Sequence, residues 1–158
     1  MRMALWIIGI PLVVVLLGMQ LRQRVFFDLS PVNPEATLEA RLHPDPGINK
    51  TLHRSCYDCH SAEVKIPWYG HVWPTSVLLR NDIRRGRARL DFSNWSNLSP
   101  EMEHIRLIGA CREMRGNEMP LWYYRPLHWG AKPSDHEVEA FCQWVQTMQL
   151  QPGVAEAR

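Results

Sequence analysis

The sequence predicts an all-α fold. No run of residues alternates apolar and polar with a period of two, and no Asn-Gly or Asp-Gly pair marks a hairpin. Four stretches instead repeat apolar residues at helical spacing. Two of them open on side chains suited to capping a helix N-terminus.

The elements follow in order. After Pro46-Gly47 a helix is expected over about Ile48 to His60, with Ile48, Leu52 and Cys56 at i, i+4 and i+8 on one face. A second runs over about Ser76 to Arg89, with Val77, Leu78, Leu79, Ile83 and Leu90 as its apolar side. The third starts at Ser99-Pro100: Ser99 suits the cap, and Pro100 the first helical position, where its missing N–H costs nothing. Glu101 and Glu103 favour the positive dipole end, and Gly116 marks the stop. The fourth opens with "SDHE", in which Ser134 and Glu137 form a capping box, and buries Val138, Phe141, Cys142, Val145 and Met148. Upstream, residues 25–47 carry Pro31, Pro34, Pro44 and Pro46 and read as a semi-rigid tether, with "EATLEARL" as a short helix inside it. The connecting segments 66–74, 91–99 and 117–133 are rich in Trp and Pro. Loops this long are expected around a ligand.

The hydrophobic share of 46% and seven Trp exclude a disordered chain. A net charge of +2 gives no case for nucleic acid as a partner, and four Cys are too few for a disulfide scaffold. The folded unit is expected over 48–148, with a flexible tail at 149–158. "MALWIIGIPLVVVLLGM", Met3 to Met19, is uncharged and about the minimum length for a membrane span. With Arg2 before it and no small-x-small cleavage pattern after it, residues 1–24 read as an uncleaved signal anchor, one transmembrane helix in a lipid bilayer. A cleaved signal peptide is the alternative. Arg2, Arg22 and Arg24 flank the segment on both sides and leave orientation open.

The chemistry concentrates in "SCYDCHS". Cys56, Cys59 and His60 stand at i, i+3 and i+4, one face of a helix. C-x-x-C-H is the attachment signature of a c-type haem. Two thiols one turn apart reach the two vinyl groups at the porphyrin edge, and the next residue lies over the iron. A zinc site usually needs a second ligand pair, and Cys111 and Cys142 are isolated from each other. A thioredoxin-like redox motif expects a βαβ context that is missing here. One covalent haem c is the expected cofactor, in a small cytochrome c-like helical domain with long loops. Haem of this type is attached outside the bacterial inner membrane, so the haem domain is expected in the periplasm and the N-terminus in the cytoplasm.

The second iron ligand is open among Met102, Met114, Met119, His71, His104, His128 and His136. Met119 is preferred. Pro120 pushes it out of helical conformation, onto an extended loop able to cross the free face of a haem. Met119 as core filler is the plain alternative, and His128 of "PLHWG" is the rival that would give bis-His ligation. Met102 and Met114 fall within a helix and read as core. With His60 and Met119 both bound, the iron is closed, and the function expected is electron carriage with no catalytic residues of its own. The alternatives are a haem peroxidase or gas or redox sensor with an open or labile sixth site, and a zinc-stabilised interaction module. The expected partners are redox proteins of the periplasm or inner membrane.

Further expectations complete the site. The Pro67 carbonyl is taken as acceptor for the other ring N–H of His60. Arg84, Arg85, Arg87 and Arg89 are either a solvated face or, with Arg87 first, partners for haem propionates or an acidic docking surface. Trp68 and Tyr69 lead the aromatics that would wall the haem. Cys111 and Cys142 either join two helices by a disulfide or lie buried as two thiols.

Over about residues 48–146 the chain resembles the bacterial haem-binding domain family, small membrane-anchored c-type cytochromes with one haem. The resemblance rests on "SCYDCHS", "PWYGHVWPTSVLL", "GRARLDFSNWS" and "NEMPLWYYRPLHWGAKPSDHEVEAFCQW". It implies thioether bonds at Cys56 and Cys59, His60 as proximal ligand and Met119 of "EMP" as distal ligand. Asn117 departs from the pattern, where relatives often carry Gly, but Asn tolerates left-handed backbone.

Overall fold

The computed structural model describes residues 9–18, 27 and 31–149, and among them no β-strand occurs. The all-α expectation holds for these residues. Helix α1 covers residues 9–18 and exposes Ile10, Leu12, Val13, Val14, Val15, Leu16 and Leu17. Among the described residues no helix is long and apolar enough to cross a membrane. The rest of the predicted anchor at 1–24, and the tail beyond residue 149, lie outside the described residues.

The segment read as a tether is partly folded onto the domain. Asn33 caps a 3-10 turn, Pro34–Ala36, and the hydroxyl of Thr37 accepts from the Ala40 N–H at 3.2 Å to start α2, Leu38–Leu42. Leu38 is fully buried in the same core cluster as Leu52, Tyr57, Phe92 and Trp95. Arg41 of α2 reaches buried Glu103 at 3.0 Å. Buried Ala36 and Leu38, the Arg41–Glu103 pair and the contacts of Glu39 with Tyr57 and His53 distinguish this stretch from a solvated linker.

The predicted helix over Ile48–His60 divides in two. Helix α3 is Pro46–Ser55 and α4 is Tyr57–His60, with Cys56 between them at φ −127°, ψ −36°. The chain turns without losing its ladder: the Cys56 N–H still bonds the Leu52 carbonyl at 2.8 Å, and the Cys56 carbonyl accepts from Cys59 and His60 at 3.1 and 3.0 Å. Tyr57 lies in the core just past this turn, stacked on Phe92 with ring centroids 5.1 Å apart, its hydroxyl donating to Glu39. Helix α5 is Thr75–Arg89 and buries Leu79 and Ile83. Helix α6 is Pro100–Arg115, capped by Ser99 and stopped at Gly116 as its sequence predicts. Helix α7 is Asp135–Gln149, and the Ser134/Glu137 capping box is formed. The three loops hold 3-10 turns at Trp68–His71, Phe92–Asn97 and Arg125–Leu127.

Helices α6 and α7 pair over Leu107, Met114, Val138, Phe141 and Val145, and Cys111 and Cys142 are joined by a disulfide with Cα atoms 5.3 Å apart. The first turn of α7 is tied to α3, where Arg54 donates to Glu137 at 2.8 Å. The Arg54 hydrogen bond, aided by the Ser134 N–H, holds the Glu137 carboxyl down at about 2, below an ordinary value of 4.5. A depressed acid stabilises the fold above its unfolded value and loses that stabilisation as pH falls through its folded one. Stability is therefore expected to drop between pH 4.5 and 2. Both side chains are about a third exposed, so screening reduces the contribution to about 1 kcal/mol. Thermal melts of Glu137→Gln should lack this part of the acid loss; an acid profile equal to that of the parent chain would contradict it.

Candidate functional site

His60 ends α4, and its ring orientation is set from α5. Nδ1 lies 2.9 Å from the carbonyl oxygen of Leu90, the residue that closes α5. A neutral imidazole donating from Nδ1 keeps its lone pair on Nε2, the nitrogen then free to bind a metal. Burial holds His60 below the ordinary histidine range, with the Leu90 bond opposing part of that effect, so the neutral form prevails at neutral pH. The expected acceptor, the Pro67 carbonyl, is not the one used. It closes its own 3-10 turn by accepting from the Gly70 N–H at 2.9 Å.

Helix α5 lies directly on the motif. A Cβ at Gly86 would sit 2.7 Å from the Cys59 carbonyl oxygen and 3.4 Å from Cε1 of His60, so only glycine allows this approach. Cys56 and Cys59 are unoxidised and partly buried. Burial pushes both thiols up to about 12. Redox-active cysteines show the opposite, a lowered value and a ready thiolate. Cys111 and Cys142 are consumed in their disulfide and do not provide a second zinc-binding pair. Among the described residues no three His, Cys, Asp or Glu side chains gather to hold a metal ion.

A polar, aromatic layer borders the motif. Asp58, between the two cysteines, accepts from the Tyr124 hydroxyl at 2.8 Å, and Asp82 of α5 accepts from Tyr123 at 3.0 Å. Tyr69, Tyr123 and Tyr124 all lie within electrostatic range of Cys59. Burial first, then the neighbouring acidic groups, raises all three phenols, Tyr69 and Tyr123 to about 12. His128 stacks on Tyr124 with centroids 3.6 Å apart. Its Nδ1 is 3.0 Å from the Tyr124 carbonyl and its Nε2 3.3 Å from the Tyr69 hydroxyl, so both ring nitrogens are engaged.

Of the residues singled out by sequence, Cys56, Cys59, His60, Tyr69 and Arg87 come together. The Arg87 charge reaches Cys59 and that of exposed Arg85 reaches Asp82 and Tyr123, whereas Arg84 and Arg89 lie on the exposed side of α5. Trp68 packs edge-on to Tyr69 but is 76% exposed. Met119 follows α6, its N–H 3.3 Å from the Glu113 carbonyl, and precedes a cis bond to Pro120. No described hydrogen bond or ring contact joins it to the motif. Sequence points to Tyr69 and His128 but not to the Leu90 carbonyl, Gly86, Asp58, Tyr124 or the contacts that join Tyr69, His128 and Tyr124. The signals available were a glycine inside an otherwise unbroken helix and an acid between the two cysteines.

These donors suit a haem: two reduced thiols separated by one turn, beside an imidazole whose outer nitrogen is already bonded to a carbonyl. The model of the haem-binding domain family matches residues 14–147. Comparison with curated proteins and with solved structures gives no match. The match spans most of the chain, which therefore belongs to the haem-binding domain family and has haem as its cofactor.

Proposed function

We propose that the chain is a monohaem c-type cytochrome that carries electrons, with Cys56 and Cys59 as thioether positions and His60 and Met119 as axial ligands. The observation that carries this reading is the His60–Leu90 bond, which leaves Nε2 available beside two free thiols, Cys59 on the same short helix and Cys56 at its N-terminal cap. A bound haem supplies a one-electron redox centre. His60 is held in one orientation by the carbonyl behind it, as metal-bound histidines are. Arg87 offers its cation to a propionate from beside Cys59. Tyr69 and Trp68 form an aromatic wall. Met119 would supply the second ligand to a bound haem, a thioether that would raise its potential and leave no site for substrate. His128 is disfavoured as the sixth ligand because both of its nitrogens already have partners.

The proposal includes a location. The uncharged stretch Met3 to Met19 serves as an anchor in the bacterial inner membrane, with the haem domain in the periplasm beside its redox partners. The Cys111–Cys142 disulfide supports an oxidising compartment.

An absorption spectrum of the purified full chain tests the reading. The expected result is a sharp reduced α-band from covalent haem and, in the ferric state, the weak long-wavelength Met–iron charge-transfer band. Met119→Ala should remove that band and open the iron to carbon monoxide. A parent protein without the band that binds carbon monoxide readily would instead support the peroxidase or sensor reading. A band that survives in Met119→Ala would transfer the sixth position to another residue.

A further inference from the structure

Met119 lies on a turn gripped by a single side chain. Arg125 Nε donates to the Pro120 carbonyl at 2.6 Å, Nη1 to Oδ1 of Asn117 at 3.1 Å and Nη2 to the Asn117 carbonyl at 2.5 Å. One guanidinium thus binds the chain on both sides of Met119. Asn117 is in the left-handed region at φ 59°, which brings its carbonyl and amide oxygens to the same fork. From the other direction, the Glu113 carbonyl at the end of α6 accepts from the N–H groups of Glu118 and Met119 at 3.0 and 3.3 Å. Arg125 is itself fixed at the start of its 3-10 turn, its N–H 3.3 Å from the Leu121 carbonyl.

The physical consequence concerns pre-organisation. A ligand on a free loop must surrender backbone entropy each time it binds, and its apparent affinity falls by the fraction of time the loop is misplaced. A planar fork with several donors fixes such a loop in advance, as a lysine point charge does not. We propose that Arg125 is a positioning residue for Met119: it sets the segment 117–120 in the shape that presents the thioether and so determines how firmly the sixth position stays closed. This rests on the reading of Met119 as distal ligand.

The test compares Arg125→Gln, Arg125→Lys and Met119→Ala in the full chain. Without haem, amide exchange at Glu118 and Met119 should quicken by about tenfold or more in Arg125→Gln, since charge-assisted bonds are lost. With haem, the ferric charge-transfer band should weaken and carbon monoxide binding quicken by about tenfold, while Arg125→Lys falls between it and the parent chain. An unchanged band and unchanged carbon monoxide rate in Arg125→Gln, with the band lost in Met119→Ala, would overturn the role of Arg125 and leave the ligand standing. A band unchanged in Met119→Ala would overturn the ligand, and the positioning role with it. Should Arg125→Gln fail to fold, Asn117→Gly removes the Nη1 acceptor and frees the left-handed backbone at 117, both of which loosen the segment, and must shift the same two readouts in the same direction.

Discussion

Replacing His60 by alanine is expected to cut the yield of haem-loaded protein by more than about 100-fold, because loss of even an outer partner of a metal-bound histidine costs about 10- to 100-fold. His60 is the residue on which the proposed ligation converges: its Nδ1 is held by Leu90 and its Nε2 faces away from that bond. The readout is α-band absorbance per chain after matched expression. The fold should survive. The imidazole keeps some exposure, bonds the Leu90 carbonyl with the Gly86 backbone as a second polar neighbour, and stands 6.1 Å from the Phe92 ring. Haem-free His60→Ala should therefore keep its helical signal and lose only about 1 kcal/mol. His128→Ala is the control, since His128 bonds Tyr69 and Tyr124 and has no nitrogen to spare. It should load haem and keep the charge-transfer band. A His60→Ala chain that loads haem normally with an unaltered spectrum would move the proximal ligand elsewhere.

What could be read from sequence was local. Ser99 with Pro100, and Ser134 with Glu137, cap helices through bonds that span three residues, so the start of α6 and α7 was visible without tertiary knowledge. The motif Cys56, Cys59, His60 was legible for the same reason. The division at Cys56 was not, because Ile48, Leu52 and Cys56 keep helical spacing up to it and Tyr57 enters the core by stacking on Phe92, far along the chain. Nor was the acceptor for His60, since a backbone carbonyl carries no sequence signature. Arg87 differs from Arg84, Arg85 and Arg89 only by its side of α5, and that side is chosen by where Gly86 meets Cys59. Within the short helix read at "EATLEARL" nothing marks Leu38 as core, because Trp95 and Phe92, which receive it, lie far along the chain.

The disulfide makes the largest expected contribution to stability. Replacing Cys111 and Cys142 together by alanine should cost about 3–4 kcal/mol, the denatured-state loop entropy released when a cross-link over a separation of 31 residues is removed. For a domain of this size that corresponds to a fall in melting midpoint of roughly 10 °C. The packing change is small by comparison, since Cys142 is buried but alanine retains its Cβ. The consequence reaches the site through α7. Helices α6 and α7 share the core of Leu107, Met114, Phe141 and Val145, and α7 holds α3 through Arg54 and Glu137; α3 in turn leads into Cys56. Because the disulfide itself touches none of the proposed haem ligands, the variant should show the parent absorption spectrum at low temperature and lose it at a lower melting point. Melts of the haem-loaded and haem-free forms, followed by absorbance and by helical signal, separate the two effects. A double variant melting within about 1 kcal/mol of the parent would mean that the denatured chain is not constrained by the bridge, and that packing of α6 on α7 alone keeps α3 and its motif in place.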